Sequence, residues 1–193
     1  MSLDFNLITQ SVDYSKNRLS KKEITECPYL FLLSDFINPE LLEKLLTFVA
    51  NDTEHWQTVL YQEISVRRSI TWVPETVIEE THIVMQELTD YLNTIFQKQT
   101  TFSGISILKD VHPYSIGMHT DNDMVGIAIQ LYLTSGPRNL NTVFKYDSKI
   151  ISANYQKNSG YIMNNTYKIG HGMLNPVPEN HIRYSLYAVW TDK

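Results

Sequence analysis

The second half of the chain is cut into short β-type runs by closely spaced turn signals, and this pattern limits the fold more than any other feature. From about Phe102 onward the signals are Ser103-Gly104, His112-Pro113, Ser135-Gly136-Pro137, Asn158-Ser159-Gly160, Asn164-Asn165 and Asn175-Pro176. They separate runs at roughly 104–109, 116–120, 125–134, 142–146, 149–153, 160–164, 168–173 and 182–190. Many short strands at this spacing predict a sandwich or barrel. The first half supplies what packs on it. Tyr29-Leu30-Phe31-Leu32-Leu33 reads as a buried strand. Asn38 then offers a helix cap and Pro39 a first helical position. Leu41, Leu42, Leu45, Leu46 and Val49 recur at helical spacing, which predicts an amphipathic helix over 39–50. The stretch 57–73 has the β-branched and aromatic content of two strands. Pro74-Glu75-Thr76 opens a longer helix to about Gln97, with an apolar face of Ile78, Val84, Met85, Leu88, Tyr91, Leu92 and Ile95. The expected class is mainly β with helices on one side.

At 193 residues the chain suits one domain. Residues 1–27 are polar with little periodicity and read as a solvated leader, which leaves 28–193 as the single domain. Twelve tyrosines lean towards strands and half-wet pockets. A net charge of −5 argues against nucleic acid as partner. The nearest basic cluster, Lys16-Asn17-Arg18 with Lys21-Lys22, falls in the leader and reads as solvated. Cys27 is the lone cysteine, so no internal disulfide can form. With no signal-peptide pattern and no long apolar run, a cytoplasmic, soluble protein without a membrane partner is expected.

The chemistry concentrates at His119-Thr120-Asp121 and His171. Residues two apart on an extended segment project to one face, so His119 and Asp121 can converge on an ion. His171 lies between Gly170 and Gly172, where a turn histidine or a closely approached strand are both open readings. Two imidazoles and one carboxylate form the facial set that holds non-haem Fe(II) with open positions, a set that zinc also accepts. Downstream, Arg183 and Ser185 interrupt an apolar run of Ile182, Leu186, Ala188, Val189 and Trp190. A buried arginine is costly unless paired, so Arg183 either reaches water or meets an anion. A forked donor beside a hydroxyl suits a carboxylate. Among the other histidines, His55 and His82 read as structural or solvated, His112 as a ligand rival with no paired carboxylate, and His181 as a candidate near the Arg183 face. Trp56, Trp72 and Trp190 read as core.

The order H-x-D, a later histidine, then Arg-x-Ser resembles the Fe(II)/2-oxoglutarate-dependent dioxygenases. Ile129-Gln130-Leu131-Tyr132-Leu133-Thr134 and Arg183-Tyr184-Ser185-Leu186-Tyr187-Ala188-Val189-Trp190 resemble strands of the prolyl hydroxylase branch. Tyr29 through Leu46 looks like that branch's first strand, turn and helix. The resemblance implies a double-stranded β-helix, a jelly-roll or cupin-like barrel, supported by N-terminal helices. It implies His119, Asp121 and His171 as iron ligands, and Arg183, Ser185 and Tyr132 as contacts to the distal carboxylate of 2-oxoglutarate. Two positions depart from the branch. Asp110 and Lys109 stand where a tyrosine usually precedes the first ligand, with Tyr114 as a substitute nearby, and Leu140-Asn141 replaces a common glycine pair.

The activity so implied is oxidative decarboxylation of 2-oxoglutarate to succinate and CO2, coupled to hydroxylation by O2. A carboxylate ligand such as Asp121 fits hydroxylation, since the halogenating relatives lack it. Ascorbate would be a supporting reductant. The expected substrate is a prolyl or other residue in a protein or peptide, and the next reading is a free amino acid or small metabolite. A non-catalytic jelly-roll binding module and a zinc hydrolase are the readings outside this class. Loops 56–75 and 135–158 are where substrate selection is expected.

Overall fold

The structure is a computed structural model and describes residues 2–61, 65–71, 73–167 and 169–193. Among the described residues four helices, α1 (Phe5–Ser20), α2 (Pro39–Asn51), α3 (Thr76–Gln86) and α4 (Thr89–Phe96), pack on a β sandwich. The strands are β1 (Glu23–Ile24), β2 (Leu30–Leu33), β3 (Gln57–Tyr61), β4 (Ser65–Ile70), β5 (Thr100–Asp110), β6 (Val125–Tyr132), β7 (Thr142–Tyr146), β8 (Lys149–Ala153), β9 (Ser159–Asn164), β10 (Gly170–Met173) and β11 (Arg183–Asp192). A major sheet runs in the order β1-β2-β9-β6-β11-β5-β4-β3, and a minor sheet in the order β10-β7-β8. Every pairing is antiparallel, as the double-stranded β-helix requires.

The major sheet is covered on both faces, which explains why β6 reads as an almost unbroken apolar run. Ile127, Ile129 and Leu131 of β6 join Leu41, Leu45, Val84, Leu88, Ile107, Leu186 and Trp190 in the core beneath the helices. Tyr132 faces the other way and packs with Tyr161, Phe144, Leu140 and Met173 between the sheets. The period of two on β11 sorts its side chains in the same way. Leu186, Ala188 and Trp190 enter the helix-side core, and Arg183 and Tyr187 face the cavity between the sheets.

Most local signals land where the sequence puts them. Asn38 caps α2 by accepting a hydrogen bond from the Glu40 amide at 2.9 Å, with Pro39 in the first turn. The helix expected to run on to Gln97 is divided at Glu87–Leu88 into α3 and α4, and it ends with Gln97 in a left-handed conformation (φ 51°). Trp190 is core, and its Nε1 donates to Thr89 Oγ1 at 3.0 Å. Trp56 is half-buried, its ring tilted against Tyr184. Trp72 and the middle of the 56–75 loop lie outside the described residues.

The solvated leader is corrected by α1. Asp4 caps it through Leu7 N, and Leu7, Ile8, Ser11, Val12, Ser15 and Leu19 are buried. Two of the inward positions are serines, so the stripe carries little hydrophobic contrast and hides in the sequence. Ser15 Oγ donates to the Phe36 carbonyl at 3.1 Å, which offsets its burial. Among the described residues no helix is long and apolar enough to cross a membrane.

Candidate metal centre

His119, Asp121 and His171 are brought together from two segments. The run 116–120 is not a named strand, but it lies against β10. His119 N donates to His171 O at 2.9 Å, His171 N to His119 O at 2.8 Å, and Met173 N to Ile116 O at 2.7 Å. Gly172 permits this approach: a Cβ there would stand 2.6 Å from the Gly117 carbonyl oxygen. The closely approached strand, and not an isolated turn, is therefore the setting of His171.

The donor atoms of the three residues lie within 4.8 Å of one another. Nε2 of His171 is 3.4 Å, and Nε2 of His119 3.7 Å, from the same Asp121 Oδ1. Each ring is fixed from behind. His119 Nδ1 lies 2.9 Å from the Gly117 carbonyl and His171 Nδ1 3.1 Å from that of Ile169. A carbonyl can only accept, so each Nδ1 carries a proton; each Nε2 points at Asp121, donating to it when the ring is protonated and offering a lone pair to a metal when the ring is neutral. The second carboxylate oxygen of Asp121 accepts from Tyr187 Oη at 3.3 Å. Burial alone would raise the Asp121 carboxyl, but its hydrogen bond to His171 and the neighbouring imidazoles outweigh this and hold it below the usual range. Burial holds His119 below the ordinary imidazole value, against the opposing Gly117 bond. Both shifts favour the forms that bind metal, an anionic carboxylate and a neutral imidazole.

The three residues line a cavity of about 330 Å³ between the sheets, together with Arg67, Gln130, Thr142, Tyr161, Arg183 and Tyr187. Arg183 is 1% exposed. It meets an anion of its own chain: Nη1 donates to Asp110 Oδ2 at 3.1 Å, and Nη2 donates to Thr142 Oγ1 at 3.1 Å. Arg67 holds the same carboxylate from the other side, with Nε 2.6 Å from Oδ1 and Nη2 3.2 Å from Oδ2. A larger groove of about 1310 Å³, where the starts of α1 and α3 meet α2, is lined without histidine or cysteine among the described residues. Among the described residues, the smaller cavity is the one that gathers a metal-ligating set.

Two of the expected carboxylate contacts stand behind the cavity wall. Tyr132 Oη donates to Thr142 Oγ1 at 2.7 Å, and its ring lies 5.0 Å from the Arg183 guanidinium carbon. Ser185 Oγ accepts from Gln130 Nε2 at 3.1 Å, and Gln130 Oε1 accepts from Tyr161 Oη at 2.7 Å. Tyr114 packs its ring 4.3 Å from the Arg67 guanidinium carbon. His181 Nε2 reaches Tyr155 Oη at 3.2 Å, and His112 Nδ1 donates to the Val177 carbonyl at 2.9 Å. Sequence reasoning missed Arg67, Thr142 and Tyr187. The signal for Arg67 was the pair Arg67-Arg68 in a strand-like run, since alternation must turn one of two adjacent arginines inward.

No protein-family model matches the chain. No curated protein matches it either. Solved structures do, at full probability. A prolyl-4-hydroxylase from Pseudomonas putida aligns over 96% of this chain and 99% of its own, with a TM-score of 0.67 and 14% identity. The chain shares the fold of this structure. A Trichoplax adhaerens prolyl hydroxylase, in complex with a hypoxia inducible factor peptide fragment, aligns over 97% of this chain and 91% of its own (TM-score 0.65, 10% identity). HygX from Streptomyces hygroscopicus, with nickel, 2-oxoglutarate and hygromycin B bound, aligns over 85% and 83% (TM-score 0.63, 9% identity). The likeness thus spans the helices as well as the barrel, and the double-stranded β-helix expected from the sequence is the architecture observed.

Proposed function

We propose that this chain is an Fe(II)- and 2-oxoglutarate-dependent oxygenase that hydroxylates a prolyl or other residue in a protein or peptide. The observation that carries this reading is the joint placement in one cavity of a facial two-histidine, one-carboxylate set and a buried arginine. A borderline N,N,O donor set open on its cavity side suits Fe(II). When bound, iron and 2-oxoglutarate supply O2 activation, with succinate and CO2 released and ascorbate in support. The residues of the chain do the rest. Gly117 and Ile169 orient the imidazoles, and Tyr187 fixes Asp121 Oδ2 so that Oδ1 faces both rings. Arg183 and Thr142 present donors to a distal carboxylate, and the tyrosine-rich interior behind them limits water. In this reading Tyr132 and Ser185 act through Thr142 and Gln130.

Met118 and Met124 flank the ligand tripeptide and are 48% and 70% exposed, an apolar surface suited to a peptide chain. A zinc hydrolase leaves the paired arginines without a task. The single free cysteine suits the reducing cytoplasm, where we place the enzyme.

The test is succinate release from 2-oxoglutarate under Fe(II), O2 and ascorbate, across peptides, free amino acids and small metabolites. Peptide-dependent turnover supports the reading, and turnover only with free amino acids moves the substrate class. His119→Ala and Asp121→Ala should each abolish turnover with the fold intact. Activity retained in both would refute the ligand assignment. A non-catalytic module would show no metal-dependent thermal shift with 2-oxoglutarate.

A further inference from the structure

Arg183, Asp110 and Arg67 stand in one row across three neighbouring strands. Asp110 of β5 pairs in register with Arg183 of β11 on one side and with Arg67 of β4 on the other. All three project into the barrel, because the alternate residues Ile107 and Ile70 belong to the helix-side core. The Asp110 carboxylate is fully buried and gripped by both guanidinium groups. Burial opposes the charge on each arginine, yet Asp110 and the surrounding tyrosines keep both cationic.

The charge count decides what this row can do. Arg183 and Asp110 alone form a neutral pair, with nothing left over for a second anion. Adding Arg67 restores one net positive charge. Both arginines line the cavity, Arg67 with 19% of its side chain exposed, and among the described residues the buried Arg183 Nε has no hydrogen-bond partner. An orphaned buried donor on a charged group is costly unless a ligand takes it up.

We infer that Arg67 is a second cationic contact for the distal carboxylate of the co-substrate, and that Asp110 attenuates the grip of the arginine pair on it. This rests on the 2-oxoglutarate reading above. Asp110 holds the two like charges together in the empty site and shares them when a dicarboxylate enters. The same row without Asp110 would bind the dicarboxylate more tightly, and without Arg67 it would bind it poorly.

The experiment is calorimetric titration of 2-oxoglutarate into the full-length chain loaded with Mn(II), without O2, so that binding is read without turnover. R67M should weaken binding by about tenfold or more, the effect of losing a charge-assisted hydrogen bond, with Mn(II) affinity unchanged. D110N should tighten it, and R67M/D110N should return it towards wild type. If R67M does not fold, D110N decides alone, because a purely structural clamp predicts weaker or equal binding there. Unchanged binding in R67M, or equal or weaker binding in D110N, overturns the inference and leaves the oxygenase reading standing. Absence of 2-oxoglutarate binding in the wild-type protein overturns both.

Discussion

Replacing Arg183 with methionine separates its structural part from its part in binding. The side chain is 1% exposed and donates to Asp110 Oδ2, Thr142 Oγ1 and Met173 Sδ, each at 3.1 Å. Its removal does not orphan the partners. Asp110 keeps Arg67 at 2.6 and 3.2 Å, and Thr142 Oγ1 keeps the Tyr132 hydroxyl at 2.7 Å. The stability cost should therefore be about 1–3 kcal/mol and not the ~3–5 kcal/mol of a stranded buried charge. At this chain length that lowers the melting temperature by roughly 2–4 °C per kcal/mol. The loss for 2-oxoglutarate is that of a charged hydrogen bond, ~1.5–3 kcal/mol, or about 10- to 150-fold in affinity. Thermal melts and the 2-oxoglutarate dependence of succinate release measure the two effects separately. A variant that melts normally and shows unchanged 2-oxoglutarate dependence would refute Arg183 as the anchor. A collapse well beyond ~3 kcal/mol would refute the partner accounting.

Leu19→Ala on α1, at a position with 0% exposure, should cost ~2–5 kcal/mol in urea denaturation; a loss below about 0.5 kcal/mol would mean that α1 is not part of the cooperative unit. Burial holds His82, His119 and His181 below the ordinary imidazole value, with Arg183 reinforcing the effect at His181. The unfolded chain therefore binds more protons than the folded one between the lowered values and ~6.5. Stability of the metal-free protein should be full above about pH 7 and fall as the pH drops through that window. A urea midpoint that is flat or rises from pH 7.5 to 5 would contradict it.

Legibility followed the range of the signal. The bounds of β7 and β8 coincide with the runs 142–146 and 149–153, because turn chemistry and period-two alternation are written in adjacent residues. The α2 cap is equally local. The boundary between α3 and α4 was not legible, since the apolar face continues across Glu87–Leu88. Helix α1 was hidden by its buried serines, of which Ser15 offsets its burial by a tertiary contact to the Phe36 carbonyl. His119, Asp121 and His171 could be named as candidates because metal chemistry restricts residue type strongly. For Arg67 the sequence offered only the pair Arg67-Arg68, and which of the two turns inward, and what it meets there, depends on neighbours across the sheet.

By itself the sequence determined a mainly β chain with amphipathic helices, and it named two imidazoles, one carboxylate and one arginine as the groups able to do chemistry. Tertiary structure decided that Asp110 is the anion Arg183 meets, that Arg67 completes the row, and that Thr142 lies between Tyr132 and the cavity. The reason is register. Residues far apart in the chain become neighbours only when β4, β5 and β11 align, and that alignment is set by the burial of Ile70, Ile107 and Leu186 on the opposite face.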